Sequence, residues 1–192
     1  MQMVPSFVFG TGYELDVKGF GKVTAELVCV GGFFAMVSAK QHNLTLDRSN
    51  SKKLIELGMA VIEAANEQCR VYHPERPEVT SVDVTEFYDE DHEAGHGVSG
   101  VVYGKSHIDR SPCGTGTTAK MTLLHHRRQL AVGQRYRNAG MLGTVFEGRI
   151  ERTLKLGSFD AVSARVRGRA NLTGCHQFAL DKRDPFPGGF LL

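Results

Sequence analysis

Glycine recurs at 22 of the 192 positions, and it limits what this chain can fold into more than any other residue type. Because glycine permits tight turns, its frequency favours short strands that are joined by turns. Two apolar segments, residues 22–30 and 33–39, are separated only by Gly31-Gly32 and are predicted to be strands. Apolar side chains at helical spacing predict a helix over residues 51–65. The sequence therefore predicts an α+β protein that is rich in strands.

The remaining regular elements are predicted from the same two periodicities. Further strands are expected over residues 6–9, 79–88, 98–103, 144–150, 161–166 and 170–180. A second helix is expected over residues 117–129, directly after a short run of small residues. Turn-forming residues separate these elements, and the chain has no internal repeat.

Composition and charge exclude several classes of function. The content of 41% hydrophobic and 23% charged residues is that of a soluble globular protein, and a net charge of +2 gives no reason to expect nucleic acid. No apolar run approaches the roughly 18 residues that a membrane span requires, and the N-terminus lacks the layout of a signal peptide. The four cysteines lie far apart, so we predict no metal site, no disulfide framework and a cytoplasmic location.

The segment around Cys113 carries the clearest chemical signal. Cys113 directly precedes the small residues 114–117 and the second predicted helix, where unpaired backbone N–H groups and the helix dipole favour a thiolate. The same N–H groups can hold a carboxylate or a phosphate, and Asp109 is near enough to meet an ammonium group. A phosphate-binding loop would require an earlier lysine than Lys120. A hydrolase with a Cys–His pair stays open, although none of the eight histidines lies in a recognisable motif.

The sequence of residues 109–117, DRSPCGTGT, resembles the second catalytic-cysteine motif of the proline racemase family, which includes hydroxyproline epimerases. Residues 4–7, 30–34 and 184–190 resemble that family too, so the resemblance covers nearly the whole chain. It implies a fold like that of diaminopimelate epimerase, mainly its C-terminal half, with a mixed sheet around a central helix. Residues 1–170 would form this half-domain, and residues 171–192 would be a segment that can pack on the N-terminal half.

The resemblance also implies a reaction and its residues. In this family two cysteines act on opposite faces of the substrate Cα without a cofactor: one thiolate removes the proton, and the other thiol donates one. By motif, Cys113 is one of the two thiols. Gly114 and Thr115 would bind the substrate carboxylate through their backbone N–H groups, and Asp109 would contact the ring nitrogen. Val84 and Tyr103 would form an apolar ring pocket, which favours proline over hydroxyproline as the small-molecule partner.

Two departures from the family pattern leave alternatives open. Nothing here matches the Met-Cys-Gly-His segment that carries the first cysteine, so we expect an incomplete enzyme that is poorly soluble alone, and a homodimer stays open. The residues 31–34 form a stretch one residue shorter than the family pattern, which a β-bulge would have to absorb. The alternatives are a non-catalytic remnant that binds a carboxylate, and a relative of the trans-3-hydroxyproline dehydratases, in which threonine commonly replaces this cysteine.

Overall fold

The computed structural model of the protein describes residues 1–91, 95–104 and 107–189. The strands in this part of the chain are β1 (Ser6–Val17), β2 (Gly21–Val30), β3 (Gly32–Ser38), β4 (Val82–Asp91), β5 (His96–Tyr103), β6 (His107–Ile108), β7 (Arg135–Gly140), β8 (Val145–Leu156) and β9 (Phe159–Arg167). The α-helices are α1 (Ser51–Gln68) and α2 (Gly114–His126). Two single turns of 3₁₀-helix, Ala39–His42 and Arg48–Asn50, connect β3 to α1.

The strands form one mixed sheet that closes on itself. Their order is β4-β3-β2-β1-β9-β8-β7-β5-β6, and the sheet is closed by the additional pairing of β4, at one end, with β5, which is next to β6 at the other end. The β3–β4 and β5–β7 pairs are parallel, whereas the other neighbours are antiparallel. β1 and β9 pair near the middle of this order, so the first and last strands of the chain are neighbours.

α2 is enclosed by the sheet. Residues 116–124 of the helix are all buried, and the helix contacts β1, β2, β3, β5, β8 and β9. A helix that is buried on every side has no polar face, and α2 accordingly mixes threonines with apolar residues all round. Packing against the strands, rather than amphipathic periodicity, therefore stabilises this helix.

α1 packs on the opposite face of the sheet and forms the larger core. Its apolar stripe of Leu54, Leu57 and Val61 is buried against β1, β4 and β5. Phe7 and Phe33 meet edge to face inside this core, with ring centroids 6.2 Å apart. The prediction of a helix from residue 51 is confirmed, and the helix continues to Gln68. None of the helices in the described residues is long and apolar enough to cross a membrane.

A β-bulge sets the register of β4 against β3. Phe33 pairs with Val82 and Phe34 pairs with Val84, so Asp83 is the extra residue on β4. The bulge lies opposite the shortened glycine-aromatic stretch, where the sequence requires one. Without it, Asp83 would face the interior in place of Val84 and every later side chain of β4 would change face.

The predicted strand over residues 170–180 is wrong. Residues 168–189 contain no helix or strand, and every one of them is exposed. A strand needs a neighbouring strand to pair with, and none of the described pairings involves this segment. β7 was not predicted from the sequence. Its buried positions are Tyr136, the polar Asn138 and the small Gly140, so they do not form the apolar alternation that is typical of a strand.

The exposed C-terminal segment predicts self-association. Leu172, Phe178 and Leu180 are 86%, 91% and 84% exposed, and such apolar side chains favour contact with another surface. We expect the chain to elute from gel filtration as larger species at higher concentration, and the triple replacement of these residues by serine to reduce this strongly. Leu142→Ser, at an exposed apolar residue outside the segment, is the control and should change little. A compact monomer at all concentrations would contradict the prediction.

Candidate functional site

The segment that leads into α2 is shaped by hydrogen bonds between near neighbours. Asp109 follows β6, and its backbone N–H donates to the carbonyl oxygen of Val101 at 2.8 Å. Asp109 Oδ1 accepts from the N–H of Ser111 at 2.8 Å, and Ser111 Oγ accepts from the N–H of Cys113 at 3.1 Å. Each side chain thus holds the backbone two residues later, as in Asx and Ser turns. These bonds fix Asp109 and Cys113 relative to each other.

Cys113 is the N-cap of α2. Its Sγ accepts from the N–H of Gly116 at 3.3 Å and lies 3.3 Å from Thr115 Oγ1. Because the sulfur caps the helix, the helix begins at Gly114, and the prediction of a loop before Thr117 is wrong. Cys113 has a φ of 60°, a backbone conformation that costs a non-glycine residue about 1–3 kcal/mol.

Gly114 and Thr115 are the first two residues of α2, and both are partly exposed. Backbone N–H groups at these positions have no carbonyl partner within a helix, and they lie at the positive end of its dipole. Gly114 also lines a cleft of about 480 Å³ together with Met3, Phe146 and Arg165. The N-terminus of α2 therefore presents N–H donors beside the thiol, in the geometry that binds an anion.

Burial and neighbouring negative charges both oppose ionisation of the Cys113 thiol. Burial raises the pKa of Cys113 above its ordinary value and outweighs the hydrogen bonds from Thr115 and Gly116, which lower it. The negative charges of Glu86 and Asp109 raise the pKa of Cys113 further. The N–H group of Gly116 at the helix N-terminus favours the thiolate of Cys113, as the sequence predicts, but burial of the thiol among apolar residues raises its pKa more.

Val84 and Tyr103, the predicted ring pocket, are directly opposite each other on β4 and β5. Val84 and Cys113 both pack against the buried apolar cluster between the sheet and α2, which includes Phe34 and Val101. Tyr103 is 42% exposed, and its ring stacks on His107 with centroids 5.9 Å apart. The structure thus brings Asp109, Cys113, Gly114, Thr115 and Val84 to one end of α2, with Tyr103 reaching this group through its pairing with Val84.

Asn138 on β7 holds the cysteine segment in place, and the sequence analysis did not find it. The side chain is buried, and Nδ2 lies 2.7 Å from Ser99 Oγ, 3.0 Å from Thr117 Oγ1 and 3.3 Å from the carbonyl oxygen of Pro112, so its two hydrogens are shared among these three acceptors. One amide therefore joins β7, β5 and both sides of Cys113. In the sequence, the polar Asn138 stands two residues after Tyr136 and two residues before Gly140, and this pattern did not predict a strand.

Glu86 and Lys120 are two further buried residues that the sequence analysis missed. Both have no exposed surface, and Lys120 Nζ lies 3.2 Å from the centre of the Tyr88 ring. Burial raises the pKa of Glu86 to about 7, although the charge of Lys120 and the hydroxyl of Ser99 lower it. The alternation of Val84, Glu86 and Tyr88 on one face of β4 was the available signal.

The raised pKa of Glu86 predicts a pH dependence of stability. The folded chain binds the proton of Glu86 more tightly than the unfolded chain, so protonation of Glu86 stabilises the fold. This stabilisation is complete below about pH 4.5 and is lost as the pH rises to about 7. The loss is up to about 3 kcal/mol of the free energy of unfolding. We expect Glu86→Gln to remove this decline when urea unfolding of both proteins is compared across the window. Parallel curves for the two proteins would contradict the prediction.

The other cysteines lie apart from this group. Cys29 and Cys69 pack in the core around α1, where burial raises the pKa of Cys29 to about 11, and Cys175 lies in the exposed C-terminal segment. In the ranges that the structure describes, no group of three or more histidine, cysteine or acidic side chains could hold a metal ion. The chemistry available at the site is that of one thiol, its neighbouring carboxyls and the backbone N–H donors.

Known proteins resemble the chain over its whole length. The family profile described as proline racemase matches residues 1–191. The proline racemase of Clostridioides difficile is 38% identical over 190 residues, which are 98% of this chain and 57% of that protein. The 4-hydroxyproline 2-epimerase of Streptosporangium roseum is 36% identical over 189 residues, again 98% of this chain and 57% of the relative.

A solved structure agrees with these sequence matches. The crystal structure of a hydroxyproline epimerase from Agrobacterium vitis, with bound trans-4-hydroxy-L-proline, superposes with a TM-score of 0.86 at 32% identity. The match covers 100% of this chain and 55% of the epimerase, so the chain spans little more than half the length of its relatives. With the profile matched from end to end and relatives this similar, the chain belongs to the proline racemase family.

Proposed function

We propose that this chain supplies one half of the active site of an amino-acid racemase or epimerase that inverts the α-carbon of proline or 4-hydroxyproline. The observation that carries the proposal is the position of Cys113: its thiol caps α2 beside the first N–H groups of the helix, with Asp109 fixed next to it. The names of the relatives supply the class of substrate.

Cys113 is proposed to move the proton at the substrate Cα. As a thiolate it removes the Cα proton from one face, and as a thiol it donates a proton to the carbanion from that face in the reverse direction. Burial raises the pKa of Cys113, which favours the thiol form and therefore its role as the donor. A second thiol would act on the opposite face, since inversion requires an acid and a base on the two sides. No cofactor takes part in this scheme.

The substrate is proposed to bind at the N-terminus of α2. The N–H groups of Gly114 and Thr115 would hold the carboxylate, where they also stabilise the negative charge that develops as the proton leaves. The bond from Ser111 fixes Asp109 Oδ1, which leaves Oδ2 as the oxygen we assign to the ring ammonium. Val84 and Tyr103 would contact the ring in a largely apolar pocket, whose one hydrogen-bonding group is the hydroxyl of Tyr103, and this favours proline over its hydroxylated form.

The second thiol is proposed to come from the part of the enzyme that this chain does not span. The exposed apolar residues after residue 170 support this division, because they are of the kind that another domain would cover. Residues 1–170 would then be the half-domain that carries Cys113, and residues 171–192 the segment that packs on the other half.

A fusion tests this function. The part of the Clostridioides difficile proline racemase that the chain does not match is placed upstream of Met1, and the fusion is incubated with L-proline or trans-4-hydroxy-L-proline in D₂O. We expect deuterium to enter at Cα, and more rapidly in proline. The intact relative, assayed in parallel, is the positive control for the isotope measurement.

The outcomes separate the proposal from its two alternatives. Binding of proline by calorimetry without deuterium incorporation in a folded fusion would overturn the proposal and favour a remnant that only binds. Loss of water from trans-3-hydroxyproline, without exchange in proline, would favour the dehydratase class. Cys113 weighs against the dehydratase class, because threonine is common at this position in those relatives.

A further inference from the structure

A buried carboxyl lies directly against the first turn of α2. Glu86 has no exposed surface, and its side chain faces α2 because the bulge at Asp83 sets the register of β4. A Cβ built on Gly116 would lie 2.8 Å from Glu86 Oε2 and 3.2 Å from Cys113 Cβ. The carboxyl and the cysteine therefore approach each other at a residue that has no side chain to separate them.

The carboxyl has a buried counter-charge. Lys120 follows Gly116 by one helical turn, so both face the same strands, and its Nζ lies over the ring of Tyr88. Tyr88 lies on the same face of β4 as Glu86. Lys120 lowers the pKa of Glu86 and burial raises it more, so that the carboxyl changes charge near neutral pH.

The charge of Glu86 acts on Cys113. A carboxylate and a thiolate repel each other more strongly inside a protein than in water, and the charge of Glu86 is one of the causes that raise the pKa of Cys113. The charged or titratable groups around this pair lie on the surrounding elements: Tyr88 on β4, Glu26 on β2, Lys120 on α2, Arg127 after α2 and Asp109 before it. β5 and β7 contribute the uncharged Ser99 and Asn138.

We propose that Glu86 is a positioning residue that sets the protonation state of Cys113 across Gly116. The thiol gives up its proton more readily while Glu86 is neutral than while it is ionised, and Lys120 limits how strongly an ionised Glu86 opposes it. The role of Glu86 in catalysis rests on the proposed function of Cys113. A thiol that must both accept and donate the Cα proton needs its two states to be close in free energy. Glu86 itself does not touch the substrate in this scheme.

The test is the rate at which iodoacetamide alkylates Cys113, followed peptide by peptide by mass spectrometry between about pH 6 and 10. Only the thiolate reacts, so the rate reports the ionisation of this one residue in the chain as it exists. In Glu86→Gln we expect the profile to move to lower pH and the rate at neutral pH to rise severalfold. Glu26→Gln is the matched control, because this carboxyl belongs to the same network but pairs with Arg127. Its profile should coincide with that of the unaltered chain.

A measurement on the unaltered chain keeps the proposal testable if Glu86→Gln does not fold. Its profile should require two ionisations, one of them near neutral pH, because the reactivity of the thiol changes when Glu86 ionises. A profile that fits a single ionisation, or one that is identical in a folded Glu86→Gln, would overturn the proposal. Alkylation needs no substrate, so a failure of the racemase proposal would appear in the deuterium assay and leave this result readable.

Discussion

Replacing Cys113 by serine should reduce deuterium incorporation at the proline Cα by about 10²–10⁴-fold in the fusion, which is the usual contribution of a general acid or base. Serine keeps the size and the N-cap hydrogen bond of the cysteine, so the fold should be retained. Its hydroxyl is, however, far too weak an acid to form the base that removes the proton. Proton NMR of proline in D₂O gives the rate directly.

Cys175→Ser is the matched control for this experiment. Cys175 is exposed in the C-terminal segment, which is proposed to pack on the other half of the enzyme and not to contact the substrate, so its replacement should leave the exchange rate unchanged. Circular dichroism and thermal unfolding of both variants establish that each is folded. Exchange that survives in a folded Cys113→Ser would remove Cys113 from the reaction.

Gly140→Ala should both destabilise the chain and disturb the thiol. A Cβ on Gly140 would lie 3.0 Å from the backbone nitrogen of Pro112 and 3.0 Å from the carbonyl carbon of Ser111. Backbone atoms cannot rotate away as the end of a side chain can, so the segment before Cys113 must move. We expect the free energy of unfolding in urea to fall by about 1–3 kcal/mol, as for other overpacked sites. The rate of Cys113 alkylation should change as well.

Gly188→Ala is the control that distinguishes the effect of overpacking on the free energy of unfolding from the effect of replacing any glycine by alanine. No atom lies within 4 Å of a Cβ built on Gly188, so Gly188→Ala should change the free energy of unfolding by less than about 0.5 kcal/mol. If Gly140→Ala behaves like Gly188→Ala, the close approach of β7 to the cysteine segment does not constrain the site.

The sequence predicted the elements whose patterns are local. The helix of α1 shows its apolar stripe within a few turns, and the strands beside Gly31 and Gly32 are rich in apolar and β-branched residues. The same patterns could not identify β7, because Asn138 is buried by contacts with Ser99 and Pro112, which are distant in sequence. The segment after residue 170 has the composition of a strand, but it pairs with no other strand in the described residues.

The sequence predicted the residues of the cysteine motif but not the buried residues around them. Asp109, Cys113, Gly114 and Thr115 are close in sequence, so the hydrogen bonds that unite them could be anticipated from residue type and spacing. Glu86 comes from a strand that is far from this segment in the chain, and only the register of β4 brings it to Gly116. The pKa of Cys113 depends on that tertiary neighbour and on burial as well as on the helix N-terminus, and only the last of these causes is visible in the motif.

The pairing of β1 with β9 has a consequence for how the protein is made. Ser6 lies opposite Val162, and Thr122 in the middle of α2 is hydrogen-bonded to Ser6 at 2.5 Å. During synthesis, β1 cannot pair with β9 until β9 has been made, so the sheet around α2 cannot close before then. When Cys113 has left the ribosome but β9 has not yet been made, the helix that begins after Cys113 is therefore not yet enclosed by the sheet. The burial that raises the pKa of the thiol is acquired only after β9 has been synthesised, and until then Cys113 is a more exposed residue.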